Sequence, residues 1–245
     1  MSDSEQRVAL VTSVEDFCGP PAARALSDAG LAVLCHAPGF ADDATREEYT
    51  EAHPELTPLA EQSPEGLVRT VLEARGRLDV VVSNDVHPAV RAAIEDADLA
   101  DLRAGLESML VAPFALARAA VPAMKHKGSG KILFVSSGTP LRGLPKYSMY
   151  CAARGATNAL TLSLARELAR FNIQVNAIAP NFVENPTYFP PDLLADEQAR
   201  NKILSQIPMG RLGTAEEVGA LIAFLTGPGS DFITGRVIPI DGGWA

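Results

Sequence analysis

The sequence predicts one α/β domain over residues 1–245, built on a doubly wound parallel sheet with helices on both faces. Three observations predict it. Short β-branched runs alternate with segments of helical spacing along the whole chain. The strand runs are apolar nearly throughout, the pattern of parallel strands buried on both faces. The chain has 245 residues, 47% of them apolar, with no internal repeat, low-complexity tract or linker to divide it.

Taken in order, Val8–Thr12 reads as the first strand and Pro20–Ala29 as the helix after it. A second strand, Ala32–His36, leads into helices at Asp42–Ala52 and Pro64–Ala74. The strand Val80–Ser83 precedes a long helix, Asp101–Met124. The strand Lys131–Ser136 precedes the helix Met149–Ala169. After the strand Gln174–Ala179 comes Pro180–Asp196, which is Pro-rich and carries Phe182, Tyr188 and Phe189. That stretch reads as a loop that lids a site. Helix Ala215–Leu225 and strand Val237–Ile240 complete the series. Crossovers between parallel strands are right-handed, and ligands sit at the carboxyl ends of the strands.

Composition excludes several classes of function. The net charge of −9 and pI near 5.0 argue against nucleic acid and anionic membrane as partners, since both need basic surface. The leading Met-Ser-Asp-Ser-Glu-Gln-Arg is polar and lacks a signal-peptide core. No apolar run in the sequence approaches the length of a membrane span. Three widely spaced cysteines, Cys18, Cys35 and Cys151, form no metal or redox motif and fit a reducing, cytoplasmic location. The histidines, His36, His53, His87 and His126, are not paired at ligand spacing, so no metal is expected.

A nucleotide-binding α/β domain needs glycines after its first strand. They permit a tight turn and let the backbone approach a pyrophosphate at a helix N-terminus. Here the stretch is Thr12-Ser13-Val14-Glu15-Asp16-Phe17-Cys18-Gly19. Set against the T-G-x-x-x-G-x-G of the short-chain dehydrogenases/reductases, Ser13 replaces the first Gly and Phe17 the second. Phe17 plugs the phosphate path, and Glu15 and Asp16 add negative charge there. The second strand ends in Cys35-His36, with no acidic residue for a ribose. Ser83-Asn84-Asp85 stands where that superfamily has Asn-Asn-Ala-Gly, and Met109 where it often has a structural Asn. Four cofactor features missing together lead us to expect no cofactor.

Ser137 ends a strand, and Tyr150 and Arg154 lie four apart at the start of the next helix, so they share a face. A Tyr with its ordinary pKa of about 10 is a poor base at neutral pH, and a fixed cation favours the phenolate. Arg serves better than Lys, since it keeps its proton and has a rigid fork of donors. The dehydrogenases carry Lys at this position because it also holds the cofactor. Without a cofactor that duty lapses, and the chain keeps a base and an oxygen-binding hydroxyl.

With these residues the chain resembles the haloalcohol (halohydrin) dehalogenases, Rossmann-like relatives of the short-chain dehydrogenases. The resemblance runs the whole chain. It is carried by "TSVEDFCGP", by "VVSND", by Ser137 with Tyr150 and Arg154, by "APNFVENPTYFP" and by "PMGRLG". It implies cofactor-independent conversion of vicinal haloalcohols to epoxides with release of halide and a proton. The reverse is epoxide opening by azide, cyanide, nitrite or halide. By resemblance Tyr150 is the base, Ser137 binds the substrate oxygen, Arg154 assists Tyr150, and Asp85 orients Arg154. Pro180, Asn181, Phe182 and Val183 form the halide loop, with Phe17 and Phe189 as pocket walls. Pro88, Thr139 and Leu144 border the substrate. The partners implied are haloalcohols, epoxides and small anions, in a homotetramer whose interfaces use the two long helices and the region of the last strand. Two other readings stay open: an NAD(P)-dependent dehydrogenase with a degenerate loop, and a non-catalytic relative with a vestigial site.

Overall fold

A computed structural model describes residues 6–186 and 188–245. Residues 1–5 and Thr187, inside the "NPTYFP" motif, lie outside the described residues. The alternating pattern resolves into seven strands: β1 (Val8–Val11), β2 (Ala32–Cys35), β3 (Leu56–Pro58), β4 (Val80–Ser83), β5 (Gly130–Val135), β6 (Ile173–Pro180) and β7 (Val237–Ile240). All pair in parallel, in the order β3-β2-β1-β4-β5-β6-β7. The chain winds from β1 to one edge and then restarts at β4 toward the other. The switch point lies between β1 and β4, the place at whose carboxyl ends sheets of this kind bind ligands.

Ten helices flank the sheet among the described residues: α1 (Gly19–Asp28), α2 (Asp43–Ala52), α3 (Pro64–Arg75), α4 (Leu99–Leu106), α5 (Ala112–Lys127), α6 (Thr139–Arg142), α7 (Ser148–Leu168), α8 (Pro191–Ala195), α9 (Glu197–Leu204) and α10 (Ala215–Thr226). Local chemistry sets several starts. Asp42 accepts from the Thr45 amide and Ser63 from the Gly66 amide, while Thr214 and Glu217 form a reciprocal capping box.

Alternate strand residues feed two cores, one per face. Ala9, Val11, Val33, Val82 and Val135 pack against Ala22 and Leu26 of α1 and Val218 and Ile222 of α10. Val8, Leu10, Leu34, Val81 and Phe134 pack against Val68 of α3, Leu116 and Met124 of α5, and Leu168 of α7. Both faces are covered, which is why the strands read as unbroken apolar runs.

The structure corrects the sequence reading in four places. Leu56–Pro58 is an edge strand that was not expected. Pro180–Asp196 is only partly loop, because it carries α8, and α9 follows it. The Asp101–Met124 helix is longer: α4, a π-helical turn at Glu107–Val111 and α5 run on continuously. That run, Leu99–Lys127, has 29 residues and a window of mean hydropathy 1.4, so by length and composition it could cross a membrane. Here its buried residues Leu116, Ala120 and Met124 face the sheet, and Arg118 on it pairs with Glu65 of α3.

Candidate active site

The site lies at the carboxyl ends of β1, β4, β5 and β6. Ser137 follows β5 and is 5% exposed. Its Oγ accepts from the Thr139 amide at 3.2 Å and from the Thr139 hydroxyl at 3.1 Å. With two donors already on the oxygen, the Ser137 proton is free to point outward as a donor. Thr139, expected to border the substrate, thus also holds the Ser137 oxygen.

Tyr150 and Arg154 share one face of α7, as their spacing predicts. Arg154 is 2% exposed, and its guanidinium is fixed by two bonds: Nη1 donates to the Val135 carbonyl at 2.7 Å and Nε to Tyr150 Oη at 3.3 Å. A buried cation is tolerable only with such partners. Ser136, beside Ser137, donates to Asn158 Oδ1 at 2.6 Å, which ties the end of β5 to α7.

Asp85 does not pair with Arg154; no ion pair joins them among the described residues. Its carboxylate accepts from the Ser83 hydroxyl. Burial pushes its pKa up, against hydrogen bonds from Ser83 and Thr12 and the charges of His36 and Arg154. It feels Arg154 electrostatically without gripping it.

The loop after β1 is stapled shut. Asn84, fully buried, donates from Nδ2 to the Ser13 carbonyl at 2.9 Å and to the Asp16 carbonyl at 2.8 Å, and from its amide to Thr12 Oγ1 at 3.0 Å. Ser13 (φ 46°) and Phe17 (φ 39°) both occupy the left-handed region, which favours glycine. The backbone thus keeps a glycine-loop shape while carrying side chains. Gly19 alone has no freedom to change, because a Cβ there would lie 2.4 Å from the Ser13 carbonyl oxygen. A nicotinamide dinucleotide does not fit these residues: the Phe17 ring and the Ser13 side chain occupy the positions whose bareness would admit a pyrophosphate. β2 ends in buried Cys35 with no carboxylate for a ribose.

Beyond β6, the four residues of the expected halide loop differ in what they can donate. Pro180 has no N–H, and its carbonyl accepts from Gly138. The Asn181 amide is spent on the Ile240 carbonyl at 3.1 Å. The Phe182 and Val183 amides have no protein partner among the described residues, although Val183 is 4% exposed. Phe182 is left-handed (φ 52°), a conformation that occurs in backbone nests able to turn successive N–H groups toward a small anion.

The two aromatics expected as pocket walls each have an aromatic neighbour. Phe17 meets Tyr188 edge to face, with ring centroids 5.7 Å apart, and Phe189 instead stacks on Phe182 at 6.1 Å. The sequence reading placed Tyr188 in the lidding loop but not among the pocket walls, and it is Tyr188 that meets Phe17. Burial raises its pKa, with Tyr150 adding to the rise and Arg154 opposing it, so it sits within electrostatic reach of both. Pro88 lines a narrow cavity with His87, Val90, Met109, Met149 and Tyr150. Leu144 is not part of that cavity lining; its carbonyl closes the turn before α7 by accepting from Tyr147. Met109 falls within the π-helical turn, and its carbonyl accepts from the Thr157 hydroxyl. π turns inside helices are frequent at functional sites.

The family model described as enoyl-(acyl carrier protein) reductase matches residues 19–245. A solved structure described as a dehalogenation enzyme is 45% identical, with a TM-score of 0.94 and 98% of each chain covered. A halohydrin dehalogenase bound to ethyl (2S)-oxiran-2-ylacetate is 36% identical, with a TM-score of 0.92 and 96% of each chain covered. Among curated relatives, a tropinone reductase homologue of Arabidopsis thaliana is 35% identical over 170 residues, which is 69% of this chain. The chain spans 61% of that relative's length.

Proposed function

Because the chain belongs to the haloalcohol dehalogenase branch of the short-chain dehydrogenase/reductase family, we propose that it closes vicinal haloalcohols to epoxides without an external cofactor. The observation that carries this is the Ser137–Tyr150–Arg154 set standing beside a phosphate loop filled by Phe17. Tyr150, as phenolate, takes the substrate hydroxyl proton while Ser137 donates to the same oxygen. The forming alkoxide displaces halide from the adjacent carbon. One C–O bond forms, one carbon–halogen bond breaks, and the halide carries away the electron pair. Arg154, held by Val135, keeps a positive charge beside the Tyr150 oxygen in both states. The halide departs toward the Phe182 and Val183 amides, walled by Phe17 and Tyr188. Reversal admits azide, cyanide or nitrite as nucleophile, with Tyr150 now protonating the opening oxygen.

A nicotinamide-dependent reductase is the second reading, favoured by the family model and by the plant relative. Ser13 and Phe17 in the loop speak against it. Exposed Val111 and Phe114 on the long helix, Leu162 on α7, and Phe224 and Phe232 near β7 suit the two interfaces of a homotetramer. Three free thiols suit a reducing cytoplasm. The test is to mix enzyme with a terminal epoxide and azide and to quantify azidoalcohol with and without bromide. Enzyme-dependent product that bromide suppresses supports the reading. No enzyme-dependent product, or product indifferent to bromide, defeats it.

A further inference from the structure

We propose that Trp244 and Arg142 are positioning residues that hold the anion-binding turn and the Ser137 turn in one fixed relation. The proposal rests on the haloalcohol reading for what the turn binds. Trp244 is the one tryptophan of the chain and is 8% exposed. Its ring meets Phe182 edge to face, with centroids 5.7 Å apart and planes at 72°. Phe182 therefore contacts both Phe189 and Trp244. These contacts confine a residue whose left-handed backbone costs energy unless its surroundings fix it. The two unpartnered amides at Phe182 and Val183 depend on this backbone.

Arg142 ties Trp244 to the other half of the site. It belongs to α6, the short helix that starts at Thr139, the residue holding the Ser137 oxygen. Its Nη1 donates to the Trp244 carbonyl at 2.9 Å, and its guanidinium lies 4.9 Å from the Trp244 ring centroid. Asp241 fixes the other side of Trp244, accepting from the Gly243 and Trp244 amides. The strut thus runs from Thr139 through Arg142 and Trp244 to Phe182. The distance between bound substrate oxygen and bound anion is set along it, and in-line displacement requires that distance to be held.

The experiment compares Trp244→Ala, Trp244→Phe and Arg142→Gln with wild type in azide-driven epoxide opening. Trp244→Ala should raise the KM for azide about three- to tenfold, the range of an aromatic edge contact. The KM for epoxide should move less than about twofold, and Trp244→Phe should restore the azide KM. Arg142→Gln should follow Trp244→Ala. A loss of folded enzyme would instead lower the maximal rate and leave both KM values in place. Equal changes in both KM values, no change in either, or Trp244→Phe behaving as Trp244→Ala would overturn the proposal. A second arm needs no catalysis: hydrogen exchange of the segment holding Phe182 and Val183 should quicken in Trp244→Ala and Arg142→Gln but not in Trp244→Phe. Unchanged exchange also overturns the strut. A wild-type enzyme without azide activity would defeat the haloalcohol reading, and the exchange arm would then decide the strut alone.

Discussion

Arg154 divides one guanidinium between the Val135 carbonyl and the Tyr150 hydroxyl, and the two bonds need the spread of its fork. A lysine has a single nitrogen for both. Arg154→Lys is expected to keep part of the turnover, and Arg154→Met to fall at least about tenfold further, since a general base loses its electrostatic partner. Steady-state halide release on the two variants checks this. Tyr150→Phe is expected to lose about a hundred- to ten-thousand-fold, the usual worth of a general base, with the fold intact by circular dichroism. The meeting of Tyr150 and Arg154 was legible because helix periodicity alone puts positions four apart on one face. Tyr188 was not legible. It adjoins Phe189, both are aromatic, and only the path of an irregular loop decides which ring meets Phe17. The detachment of Asp85 from Arg154 was hidden for a related reason: Ser83, two residues earlier, competes for the carboxylate.

The loop from Thr12 to Gly19 keeps a backbone that favours glycine while carrying side chains. Its left-handed turns at Ser13 and Phe17 remain, and Asn84 holds the turn from below. A Cβ at Gly19 would meet backbone rather than a flexible side chain. Gly19→Ala should therefore shift the loop that carries Phe17 and lower stability by about 1–3 kcal/mol, the usual cost of overpacking; thermal melts of the pair measure this. Titration calorimetry with NAD or NADP should show no binding at micromolar ligand. Micromolar affinity would mean that the loop moves aside and would revive the reductase reading. The replacement of glycines by Ser13 and Phe17 was readable in the sequence because it falls at fixed offsets from the first strand. β3 was not, since it is three residues long, ends in proline and lies at the sheet edge. α9 escaped because none of its residues is buried, so no apolar stripe marks it.

At the scale of the whole molecule, the doubly wound sheet followed from alternation and length, and its order places the site at the β1/β4 switch. The far end of the same strands carries a structural ion cluster. Asp79, 5% exposed, takes bonds from Arg77, Lys127 and the Val8 amide. Burial works to raise its pKa, but these partners outweigh it and leave it at about 2. An unfolded Asp titrates near 3.9, so the folded value is depressed. The stability gained is present above pH ~4 and is lost as pH falls toward 2, with a size of about 2–3 kcal/mol. Denaturant unfolding should show Asp79→Asn weaker than wild type at neutral pH, with the gap closing as the solution is acidified. The tetramer that the resemblance implies is checked by light scattering; exposed Phe224 and Phe232 offer apolar surface for such contacts. The most direct test of the account is chemical: incubate the purified protein with a vicinal chlorohydrin and no nucleotide, and follow chloride, acid and epoxide together. The account predicts the three in equal amounts, all abolished in Tyr150→Phe. No chloride release, or conversion to a ketone only when NAD or NADP is supplied, would contradict it.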